Sequence, residues 1–82
     1  MNDTDNALAT AIMQLLDARS ANDSICPSEA ARRIGGDDWR ALMEPARQAS
    51  RRLVADGRIL VMQKGRVVDA STARGPIRLK KR

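Results

Sequence analysis

At Gly57 the spacing of apolar residues changes from a helical period to a strand period, and that change orders the whole architecture. Downstream, "RILVMQ-KG-RVVDA" holds two apolar-rich runs joined by two residues, one of them glycine, which predicts a β-hairpin. With Lys64-Gly65 as the loop, Gln63 faces Arg66, Val61 faces Val68 and Ile59 faces Ala70. Leu60, Met62 and Val67 then share the opposite face, which also needs cover. Near the C-terminus "IRLK" alternates apolar and basic residues, so Ile77 and Leu79 can pad the hairpin while Arg78 and Lys80 meet water.

Upstream of Gly57 the pattern is helical. Leu8, Ile12, Leu15 and Leu16 predict a one-faced helix from Asn6 to Arg19, capped by Asp5 or Asn6 after a frayed polar start at residues 1–5. Arg19 suits the helix C-terminus, and "SANDS" is a turn. "SICPSEAARRIGG" predicts a second helix, with Cys26 or a neighbour at the cap, Pro27 at the first position and Glu29 in the first turn. Ala30, Ala31 and Ile34 form its apolar stripe, Gly35-Gly36 stops it, and Ile25 adds a short extended stretch before it. "DDWRALM" is a short amphipathic turn or two. Pro45 would break a helix interior but fits its first position, so a third helix is expected from Pro45 to about Asp56.

The 82 residues make one small domain, and the absence of Phe, Tyr and His leaves an aliphatic core and little room for an enclosed active site. Charge is unevenly spread. Residues 1–29 hold Arg19 against five carboxylates, whereas residues 30–82 hold fourteen cations against five carboxylates, for a total of +5. Twelve of the fifteen cations are arginine, whose planar group suits phosphate and guanine. Without histidine, paired acids, a CxxC or a glycine-rich phosphate loop, an enzyme is not expected, nor a metal or cofactor. Cys26 is the single cysteine, so no disulfide framework is expected; it reads as a small capping or buried residue. The acidic N-terminus lacks a signal-peptide pattern, and no apolar run approaches the ~20 residues of a membrane span. A soluble cytoplasmic protein with no membrane partner is the expectation.

Helix, turn, short helix, longer arginine-rich helix, hairpin is the order of a winged helix-turn-helix. The expected fold class is therefore α+β, mainly α: a winged helix-turn-helix over residues 6–70, with a three-helix core and a C-terminal hairpin wing. Residues 71–82 form a basic tail that could add a strand to the wing. "CPSEAARRIGGDDWRALMEPARQASRRLVADGRI", "QKGRVVD" and "ARGPIRLKKR" resemble the bacterial domain-of-unknown-function family 3253 from about Ile25 to Lys80. That resemblance implies a small winged-helix-like fold with no established activity.

The third helix carries the first candidate site. Ala46, Ala49, Ser50 and Leu53 gather on one face, leaving Arg47, Gln48, Arg51 and Arg52 together on the other. Stability alone would intersperse acids among those like charges, so an anionic partner is expected. In a winged-helix pose this face enters the major groove of double-stranded DNA, with Lys64 and Arg66 at the wing tip and Arg78 and Lys80 of the tail on the backbone. Arg74, Lys81 and Arg82 would add to that arm. The bland alternative is a solvated arginine-rich face. The functional alternative is an accessory module docking an acidic protein partner. One such module buries only about 600–1,000 Å² on DNA, so useful specificity needs a homodimer or another protein.

Two features work against simple groove reading. The nine residues between Gly35 and Pro45 exceed the usual three- or four-residue turn. Asp37, Asp38 and Glu44 also place negative charge where phosphates would approach. Trp39 is expected to plug the seam between helices, and Met13, Met43 and Met62 to fill core gaps.

Overall fold

A computed structural model describes residues 3–82 of the chain. Its first helix, α1, runs Asp3–Asp17, so it starts three residues earlier and ends two earlier than the apolar spacing implies. Asp3 and Asp5 account for the early start: carboxylates in a first turn are stabilised by the helix dipole. The frayed start expected for residues 1–5 therefore fails at residues 3–5, and residues 1 and 2 lie outside the described residues. Arg19 does not cap α1. It instead donates to Glu29 Oε1 at 2.5 Å and to the Ser24 carbonyl at 3.1 Å.

A two-residue strand, β1 (Ser24–Ile25), precedes α2 (Pro27–Gly35). Cys26 occupies the cap position, and its backbone N–H donates to Glu29 Oε2 at 2.8 Å, the side-chain return bond of a capping box. Ala30 and Ala31 are buried as expected, but Ile34 is 41% exposed and leaves the predicted stripe. Gly36 then turns the chain at φ 57°, ψ −124°, a conformation essentially closed to residues with a Cβ.

A 3₁₀ helix, Gly36–Leu42, comes next; it is kinked at Asp38 and runs directly into α3 (Met43–Ala55). The third helix thus begins at Met43, two residues before Pro45. Pro45 is tolerated there because the first four N–H groups of a helix have no partner to lose. Gly57 follows the last turn at φ 74°, as expected.

The hairpin forms with the expected register. β2 (Ile59–Gln63) pairs with β3 (Arg66–Val67), with Met62 opposite Val67 and Gln63 opposite Arg66. Lys64 (φ 50°) and Gly65 (φ 78°) make the tight turn, the positive pair that a type I′ hairpin demands. After Val68 donates to the Val61 carbonyl at 2.9 Å the strand ends, so Ala70 never faces Ile59.

Ile59 instead pairs with Lys81. The C-terminal segment forms β4 (Arg78–Lys81), antiparallel to β2 on one side and to β1 on the other, giving the order β1-β4-β2-β3. Ile77 and Leu79 enter the same core as Ile59, Val61, Leu8, Ile12, Leu16, Ile25 and Leu53. Because β4 lies beside β2, it does not cover the face of Leu60, Met62 and Val67, and Val67 stays 60% exposed. The architecture is α+β, mainly helical, with a four-stranded antiparallel sheet.

Candidate nucleic-acid interface

The core side of α3 is as its spacing requires: Ala46, Ala49, Ser50 and Leu53 are buried, with Ser50 Oγ satisfied by the Ala46 carbonyl at 2.8 Å. The opposite side does gather Arg47, Gln48, Arg51 and Arg52. Its arginines are not free, however. Arg47 Nη2 donates to the Gly75 carbonyl at 3.1 Å, and Arg52 Nη1 to Asn6 Oδ1 of α1 at 2.9 Å. Arg51 lies 3.5 Å from Glu44, two helical turns back. All three arginines are half-buried, and only Gln48 is exposed. Of these partners only Glu44 is an acid; Asn6 and the Gly75 carbonyl are neutral and come from α1 and from the loop before β4, which local spacing does not place.

The sheet portion of the molecule is different. From Gly57 onward eight cations face a single carboxylate, Asp69. Asp69 accepts from both the hydroxyl and the N–H of Ser71, at 2.6 and 2.8 Å, and those bonds hold its carboxyl below the usual range against a small opposing effect of desolvation. Lys64 and Arg66 of the hairpin and Arg74 of the loop before β4 have no ion-pair partner among the described residues. Arg78 is oriented rather than mobile: its Nε donates to Ser24 Oγ at 3.0 Å and its Nη2 to the Ser24 carbonyl at 2.8 Å. Lys80 is half-buried on β4, and Lys81 pairs with Asp17 at 2.6 Å. Of the basic tail, Arg78, Lys80 and Lys81 thus lie in strand β4, whereas Arg74 precedes it and Arg82 follows it.

Gln63 ties the hairpin to the loop before β4. Its Nε2 reaches the carbonyls of Arg74 and Pro76, at 2.5 and 3.2 Å, closing the loop 74–76 over the end of β2. Beneath that loop lies a groove of about 520 Å³, lined by Met62, Pro76 and Ile77 with Lys64, Arg74 and Arg78 among its polar groups.

Trp39 is corrected too. It packs against the core edge but is only half-buried, and the guanidinium carbons of Arg32 and Arg40 lie 4.4 and 4.6 Å from its ring centroid. Met13 and Met43 pad the core as expected, whereas Met62 sits on the groove side of the sheet. Cys26 is half-buried and accepts from the Ser28 hydroxyl at 3.1 Å. Among the described residues no three of Cys, Asp and Glu stand together as a metal site, and no helix is long and apolar enough to cross a membrane.

Against known families, the chain matches the one described as "Protein of unknown function (DUF3253)" over residues 5–82. No curated protein matches it.

Proposed function

The chain belongs to that DUF3253 family, whose description carries no activity, and from its geometry we propose a non-enzymatic winged helix-turn-helix that binds double-stranded DNA. The order helix, strand, helix, helix, hairpin supports the winged-helix reading. The observation that carries DNA binding is the wing. Lys64, Arg66 and Arg74 stand without ion pairs among the described residues, in a stretch of the chain with one carboxylate for eight cations. Long cationic side chains left without acids form a phosphate-binding surface, and their affinity falls as salt rises, because counterion release then gains less.

In this reading the wing carries the backbone contacts, and α3 offers Gln48 as its free base-reading group, suited to adenine. Arg51 and Arg52 contribute guanine or phosphate contacts once they exchange Glu44 and Asn6 for DNA. Arg78 and Lys80 line the adjoining strand.

Amide-shift mapping with duplex DNA at ~150 mM salt tests this, since that condition weakens purely non-specific contacts. Shifts concentrated at residues 45–52 and 63–67 are expected, and Lys64→Ala with Arg66→Ala should lower the salt slope by about 1.8, at roughly 0.9 per phosphate contact. Silence at those residues even in low salt would end the proposal. A second reading, an acidic protein partner, is favoured by the groove alone: its apolar floor and cationic rim suit an acidic segment with an apolar anchor. An acidic, leucine-containing peptide that shifts residues 62–64 and 74–78 while duplex DNA shifts nothing would favour that reading.

A further inference from the structure

The DNA reading places its contacts on α3 and the wing, yet a second ordered cationic site stands at the other end of α3. Arg32 on α2 and Arg40 on the 3₁₀ helix both lie over Trp39, at 4.4 and 4.6 Å from the ring centroid. Both arginines are exposed, and neither side chain has an ion pair or hydrogen bond among the described residues. The indole is therefore the group that each guanidinium rests over. A guanidinium held by its face keeps its N–H edge free for an oxyanion, and less side-chain freedom is lost when that bond forms.

Position strengthens the case. The 3₁₀ helix leads into α3 through Leu42 (φ −97°, ψ 2°), where the Met43 N–H donates to the Arg40 carbonyl. Arg40 thus places a cation just before α3, and Arg32 on α2 shares the Trp39 ring with it.

We infer that Arg32 and Arg40, held over Trp39, form a phosphate-binding corner that grips the DNA backbone at the N-terminal end of α3. This rests on the DNA reading above. Asp37 and Asp38 sit on the same segment and oppose an approaching phosphate, so the corner contains its own control.

The experiment measures duplex affinity of the full chain against salt, together with tryptophan emission. Trp39 is the only Trp and Tyr is absent, so emission reports on this corner alone. Duplex should change the emission of the wild type. Arg32→Ala with Arg40→Ala should lower the salt slope by about 1.8, and Arg32→Lys with Arg40→Lys should restore the slope, because charge returns. Asp37→Asn with Asp38→Asn should tighten binding. Unchanged slope and affinity in both the alanine and asparagine pairs, with binding still weakened by Lys64→Ala and Arg66→Ala, would overturn the corner and leave DNA binding standing. A wild type that binds no duplex at ~50 mM salt would overturn both. Thermal melts of each variant separate a lost contact from a lost fold.

Discussion

Arg47 Nη2 donates to the Gly75 carbonyl at 3.1 Å, which ties the outer face of α3 to the loop that delivers β4. From the other side Gln63 holds the same loop through the Arg74 and Pro76 carbonyls. Arg47 and Gln63 thus both hold the loop 74–76 that precedes β4, which gives Arg47 a positioning role.

Arg47→Ala should release the loop more than it unfolds the domain. A charged donor to a carbonyl contributes about 1–3 kcal/mol, toward the low end where solvent competes. Amide exchange at Arg74, Gly75 and Ile77 should accelerate while α1 amides keep their protection, a pattern that native-state hydrogen exchange reads directly.

Leu79→Ala should be far more severe than its place near the C-terminus suggests. Leu79 is fully buried on the inner strand, between Ile25 of β1 and Val61 of β2. Such truncations cost about 2–5 kcal/mol. A small domain has only about 5–15 kcal/mol in all. Urea unfolding followed by circular dichroism should show a large fall in midpoint, and removal of residues 77–82 should abolish the cooperative transition.

Gly36→Ala is expected to destabilise by about 1–3 kcal/mol, the usual cost of holding a residue with a Cβ in a glycine-only backbone region. The φ of 57° with ψ of −124° carries the effect, since open space surrounds the missing Cβ. The urea midpoint should drop with the slope unchanged.

Glu29 gives the chain an acid-sensitive joint. Partial burial raises its pKa, but the Arg19 hydrogen bond and the Cys26 N–H outweigh that, so the carboxyl is held below its ordinary range. A lowered folded pKa means the stabilisation is present above the unfolded value and is lost as pH falls through the folded one. Glu29→Gln should therefore cost about 0.5–1 kcal/mol near pH 7, a loss of cap and ion pair. In acid the wild type and variant should converge. Urea midpoints near pH 7 and below about pH 4 check this.

Some of the interface was legible from spacing and some was not. The core side of α3 follows from Ala46, Ala49 and Leu53 at helical intervals, and the turn at Lys64-Gly65 follows from local backbone chemistry. What holds Arg47 and Arg52 lies 28 and 46 residues away in sequence, so no local pattern points to Gly75 or Asn6. Trp39 misled for a related reason. It was expected to plug a seam between helices; it packs at the core edge, half-buried, with arginines from two different elements over its ring.

Residue order alone is enough to set the succession of helices and hairpin, the helix stops at Gly35-Gly36 and Gly57, the hairpin register and the basic bias of the later residues. Each depends on interactions within a few residues: capping, positive φ, and the two-residue turn. Long-range packing was needed to make residues 78–81 an inner strand between β1 and β2, and to select which arginines stay without an ion pair. Strand order depends on pairings across more than fifty residues, where Ile25 meets Leu79, and a short alternating run is equally compatible with an edge, a cover or a tail. Where each arginine ends is likewise set by the acids and carbonyls that the packed chain brings within reach.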